Sequence, residues 1–187
     1  MKPWSTFFPD VLPAVVGLGL PEPTVEHQIK RAAQEFCRRT RAWRVTLDAV
    51  YTSASGREYD IELEPRSELV RLESAALDGH RIAVWRDRDG RGRFVFTSDG
   101  RTVAFSEQPG QGQQLVLTAS LRPADSATGI EDALAERYSE AIARGAVARL
   151  KGDPILQQSF EGECDRIKVA LWRGNAPINP RVRAQWF

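Results

Sequence analysis

The feature that most constrains this chain is a hydrophobic period that changes twice. Between 24 and 44, Val25, Ile29, Ala32, Phe36, Thr40 and Trp43 recur at helical spacing. Thr24 reads as the N-cap, and Glu26 falls in the first turn, where the helix dipole favours an anion. From about 44 to 122 the period becomes two: Val45, Leu47, Ala49 and Tyr51 alternate with polar neighbours, as do Tyr59, Ile61 and Leu63. Further strands read over 69–74, 81–85, 94–97, 102–106 and 115–121. Helical spacing then returns in Ile130, Leu134, Tyr138, Ile142 and Ala146, with Ala141, Gly145 and Ala148 small enough to admit another helix closely. Gly152 stops that helix. Asp153-Pro154 starts the next, with Asp as N-cap and Pro at the first helical position, where its missing N–H costs nothing. Leu156, Phe160, Cys164, Ile167 and Leu171 form its buried stripe, and Gly174 ends it.

Turn chemistry separates the strands. Ser55-Gly56, Asp78-Gly79, Asp89-Gly90, Asp99-Gly100 and the loop Pro109-Gly110-Gln111-Gly112 supply residues that tolerate positive φ, and Asp-Gly between alternating runs is a strong hairpin signal. The middle is expected to be an antiparallel lobe of about seven strands, a small sandwich or barrel. The chain as a whole predicts an α+β fold: a helical bundle formed by N- and C-terminal helices, with the β lobe inserted. It divides into 1–43, an N-terminal arm and first bundle helix; 44–122, the inserted lobe; 123–174, the C-terminal bundle helices; and 175–187, an extended C-terminal arm. Pro3, Pro9, Pro13, Pro21 and Pro23 predict that residues 1–23 are irregular.

Chemistry is sparse. Two histidines, His27 and His80, lack ligand spacing, so no metal or other cofactor is expected and no catalytic residue is assigned. Cys37 and Cys164 read as small buried thiols in a reducing compartment. The G-x-G at Gly17 and Gly19 lacks the third glycine and the preceding strand of a nucleotide site. Asp60, Glu62 and Glu64 share one strand face, which can bind a metal or simply be solvated opposite Tyr59, Ile61 and Leu63; the solvated face is preferred. His80 adjoins a turn with no nucleophile beside it and reads as surface or structural. No segment approaches the roughly 20 apolar residues that span a bilayer, and no signal peptide is evident, so synthesis in a cytoplasm is expected.

Charge is informative only locally, since 26 Lys and Arg face 25 Asp and Glu overall. Between 24 and 44, Lys30, Arg31, Arg38, Arg39, Arg41 and Arg44 face only Glu26 and Glu35, so the helix has one strongly basic side. It can be a solvated face, meet an acidic partner surface, or touch nucleic acid. Arg88 and Arg91 lie in an arginine-rich stretch, 86–93, whose aspartates argue against phosphate and for a hairpin tip that is solvated or meets a neighbouring subunit. The last thirteen residues contain no acid and end in Trp186-Phe187. Such an arm either folds back on its own bundle or inserts into a neighbour, where Trp and Arg are enriched.

Three stretches resemble one family. Phe8-Pro9-Asp10-Val11-Leu12-Pro13, Pro21-Glu22-Pro23 and Glu35-Phe36-Cys37-Arg38-Arg39-Thr40-Arg41-Ala42-Trp43-Arg44 look like the start of phage head–tail adaptor proteins. Leu121-Arg122-Pro123, the helix around Ile142-Ala143-Arg144-Gly145-Ala146, Asp153-Pro154 and Phe160-Glu161 continue the likeness along most of the chain. The resemblance implies a non-enzymatic virion protein at the head–tail junction, made in the host cytoplasm. About a dozen copies would form a ring between a portal protein and a tail (nozzle or tail-tube) protein. DNA would pass through its channel without sequence-specific binding, and no membrane would be involved. By position, Asn175, Ile178, Arg181, Arg183, Trp186 and Phe187 would belong to a portal-binding arm. Lys30, Arg31, Arg38, Arg39, Arg41, Arg88 and Arg91 would face subunits or partners. A nucleic-acid-binding accessory protein using the basic helix is the alternative.

Overall fold

A computed structural model of the chain describes residues 1–85 and 92–175. The fold is α+β with a curled, half-barrel β lobe, in agreement with the periodicity. The proline-rich start, however, is built rather than irregular. A short strand β1 (Lys2–Pro3) and a 3-10 turn over Trp4–Phe7 lead into helix α1 (Phe8–Val15). Trp4, Phe7, Val11 and Val15 form a buried helical stripe, and the Trp4 indole N–H donates to the Ala127 carbonyl at 3.0 Å. Proline does not prevent this: Pro9 occupies the first turn, while Pro9 and Pro13 lie on the exposed side, where water can serve the carbonyl that Pro13 leaves without a donor.

Helix α2 (Glu22–Thr40) starts two residues before Thr24, with Pro23 in its first turn and no side-chain cap. It stops at Thr40 because Arg41 adopts the left-handed conformation, φ 55°, and donates its N–H to the Cys37 carbonyl. Trp43 is thus buried but outside the helix. The strands are β2 (Arg44–Thr46), β3 (Val50–Tyr51), β4 (Glu58–Asp60), β5 (Ser67–Leu77), β6 (His80–Val84), β7 (Phe94–Phe96), β8 (Thr102–Phe105), β9 (Gln114–Pro123) and β10 (Gly129–Ile130). The long pair β5 and β9 is the spine, and bulges between Leu69 and Arg71 and between Leu72 and Ser74 help to curl it. The sheet runs β2-β9-β5-β6-β7-β8-β4, with β3 also on β9, while β1 pairs separately with β10.

Three strand expectations are corrected. The alternation from Val45 to Tyr51 is not one strand but two short ones on β9, and the break leaves Leu47 buried while Ala49 and Tyr51 are exposed. The lobe is mixed rather than wholly antiparallel, because β6 and β7 run parallel, so no tight hairpin joins them. Asp89-Gly90 itself lies outside the described residues. Asp78-Gly79 does make a two-residue hairpin, with φ of 50° and 77°. Ser55-Gly56 and the 109–112 loop instead connect strands that pair elsewhere.

Helix α3 (Asp132–Lys151) begins after Ile130, which pairs in β10, and the Glu131 carboxylate caps it by accepting from the N–H groups of Ala133 and Leu134. A kink at Tyr138 lets it follow the core. Gly152, φ 63°, ends it, and the Asp153 carboxylate accepts from the Ile155 N–H at 2.8 Å to open α4 (Pro154–Asn175). Gly145 sits against the Phe160 ring. Helix α4 passes Gly174 by one residue, so Asn175 is its last residue rather than the first of an extended arm. One hydrophobic cluster runs from Trp4 through Phe36 and Leu117 to Phe160.

Candidate functional site

Helix α2 places Arg31, Gln34, Glu35 and Arg38 on one face, since three- and four-residue steps stack along a helix. Arg122 of β9 and Arg149 of α3 join them around a small open pocket of about 120 Å³. Glu35 is the hub. It accepts from Arg39 Nε at 2.9 Å and from Arg149, and Arg38 lies 3.7 Å away. Burial alone would push the Glu35 carboxyl up, but the Arg39 hydrogen bond and the charges of Arg149, Arg39 and Arg38 outweigh it and hold the group below its ordinary value. Arg39 also reaches Glu161 of α4 at 2.9 Å. These contacts tie α2 to α3 and α4.

The remaining basic residues of α2 are engaged within the chain to different degrees. Lys30 Nζ donates to the Asp125 carbonyl at 2.6 Å, while Arg31 contacts Gln34 and, at 3.9 Å, Asp125. The Gln34 hydrogen bond, helped by Arg31, Arg122 and Lys30, holds Asp125 below its ordinary value. Arg41 is the most committed. Its guanidinium donates to both Glu73 oxygens at 3.2 and 3.0 Å, both side chains are 12% exposed, and it sits 5.9 Å from the Trp172 ring centroid. Arg38 is the least committed, at 65% exposed. Arg88, Arg91, Ile178, Arg181, Arg183, Trp186 and Phe187 lie outside the described residues.

No protein-family model and no curated protein matches this chain. The site therefore rests on its residues.

No described residues form a group of three or more His, Cys, Asp or Glu able to hold a metal, and no described helix is long and apolar enough to cross a membrane. Asp60, Glu62 and Glu64 are exposed, with Ile61 buried opposite them. Both histidines are exposed. Cys37 and Cys164 are buried free thiols on facing helices; burial pushes the Cys164 thiol up to about 12 and Cys37 further still. Two features escaped sequence reasoning. Gln34, Arg122 and Arg149 complete the basic pocket from three elements, a convergence that no local spacing announces. A groove of about 690 Å³ lies between the base of the β lobe and α3, lined by Trp43, Val45, Leu134, Tyr138 and Leu171 among others.

Proposed function

We propose that this protein is a structural adaptor of a tailed phage, a subunit of a ring that joins the portal to the tail and continues the DNA channel. The observation that carries the reading is the uncovered end of α4. Phe160 and Cys164 are fully buried, but further along Val169 is exposed, Trp172 is 56% exposed, and Ile167 and Leu171 are only partly covered. A helix that outruns its own bundle, and is followed by an acid-free segment ending in Trp186-Phe187, suits an anchor for another protein. The adaptor resemblance assigns that anchor to the portal. A ring requires two different faces of one subunit to meet, and the mixed helical and β surfaces supply them.

The nucleic-acid alternative is weakened because Arg39 and Arg41 are spent on Glu35, Glu161 and Glu73, which lowers the free charge of the helix face. The test is quantitative mass spectrometry of purified virus particles from the source of the gene, counted against the major capsid protein. About a dozen copies per particle are expected, and virions assembled with a chain truncated before Gly174 should lose the protein and leak DNA. Absence of the intact protein from the particle refutes the adaptor reading.

A further inference from the structure

The pocket on α2 has more guanidinium than the chain itself uses. Arg31, Arg38, Arg122 and Arg149 line it, and Glu35 is the carboxylate among the lining residues. Each guanidinium offers five N–H donors. Among the described residues these four donate three hydrogen bonds: Arg31 to Gln34, Arg122 to Glu68 and Arg149 to Glu35. Arg38 approaches Glu35 only at 3.7 Å, and Arg31 approaches Asp125 only at 3.9 Å. Arg149 Nε is buried with no acceptor at all, and an orphaned buried donor is a cost that a fold avoids unless something else supplies the acceptor. The Gln34 amide is already turned away, donating to the Pro123 carbonyl and to Asp125.

We propose that this pocket binds a single phosphoryl oxyanion. Its guanidiniums come from α2, α3 and β9, so they approach from several sides. A tetrahedral anion with oxygens in every direction meets such donors better than a planar carboxylate does. The four lining arginines outnumber the carboxylates that pair with them, Glu35, Glu68 and Asp125, so positive charge is left over for an anion. About 120 Å³ holds one such group. This inference is independent of the adaptor reading; the pocket stands or falls by itself. The phosphoryl group can come from free inorganic phosphate or from a nucleic-acid backbone.

The test is titration calorimetry of the full chain in low-salt chloride buffer, with inorganic phosphate and separately with a short DNA duplex. Saturable 1:1 phosphate binding is expected, weakened at least tenfold by Arg38→Ala and by Arg122→Ala. Arg122→Lys, which keeps the charge near Glu68 but removes the fork, should weaken it less. Arg144→Ala, which breaks the separate pair with Glu163, should leave it unchanged. Melting curves identify any variant that has lost its fold. If the duplex competes with phosphate and loses affinity in Arg38→Ala, the anion is supplied by nucleic acid; if phosphate binds and the duplex is indifferent to the substitution, it is a free ion. No saturable phosphate binding by the wild type, or equal weakening by Arg144→Ala, overturns the proposal.

Discussion

Replacing Gly145 by alanine puts a methyl group where α3 and α4 leave no room for one. A Cβ there would stand 2.7 Å from Phe160 Cε2 and 2.9 Å from Cδ2 and Cζ, well inside van der Waals contact. The ring is fully buried, so it cannot swing into solvent. Overpacking a tight core costs about 1–3 kcal/mol, and three crowded ring atoms place this site in the upper half of that range. Alanine recovers about 1 kcal/mol of helix propensity over glycine. The net is a loss of about 1–2 kcal/mol, which in a chain of this size lowers the melting temperature by roughly 2–8 °C. The decisive assay is a double-mutant cycle with Phe160→Leu, whose shorter side chain lacks the Cε2 and Cζ atoms. In that background Gly145→Ala should turn neutral or stabilising, because the propensity gain survives and the clash does not. Equal destabilisation in both backgrounds would show that the close approach of the two helices is not what glycine serves.

Four further outcomes follow from the same contacts. Trp4→Phe removes the donor to Ala127 and should cost about 1–3 kcal/mol in urea unfolding; an unchanged midpoint would mean that the proline-rich start is not docked. Glu73→Gln strands the Arg41 charge in a site where both partners are 12% exposed, and a loss of about 3–5 kcal/mol is expected, with a neutral result counting against a buried pair. The Asp99 carboxylate accepts from the N–H groups of Thr102 and Arg101, which hold it down to about 2 from an ordinary value of 3.8. Its folded value is the lower one, so its contribution is present above pH 3.8 and is lost as pH falls through about 2; an NMR titration midpoint near 3.8 would refute the turn geometry. Cys37 and Cys164 should resist thiol reagents in the native protein and react in denaturant, since burial suppresses both thiolates; rapid native labelling would contradict it.

What was legible followed from regular spacing. The stripes of α2 and α3, the Phe160 and Cys164 part of the α4 stripe, the Asp153 cap and the Asp78-Gly79 hairpin depend on residues within a few positions of one another, and they were readable as such, whereas Leu156, Ile167 and Leu171 are only partly buried. The start of the chain was misread because five prolines outweighed the stripe of Trp4, Phe7, Val11 and Val15, although proline is harmless in a first turn or on a solvated face. The parallel β6–β7 pair was invisible because Asp-Gly signals a turn without saying which strands it joins. For the site, the basic helix face was found but its neutralisation was not. Glu73, Glu161 and Asp125 reach Arg41, Arg39 and Arg31 from other elements, and a count of charges along one helix has no access to partners that distant.

The junction of β1 with β10 and of Trp4 with Ala127 has a consequence in time. A ribosome delivers the residues of α1 and α2 long before α3, against which both helices pack. At about 5–20 residues per second, the wait between completing α2 and reaching Leu134 is roughly 5–20 s. During that interval Val25, Ile29, Ala32, Ala33 and Phe36, all fully buried in the finished fold, lack the cover of α3 and α4. Nascent chains arrested before residue 130 should therefore bind chaperones and be cut readily within 1–40, and release past residue 151 should end both behaviours together.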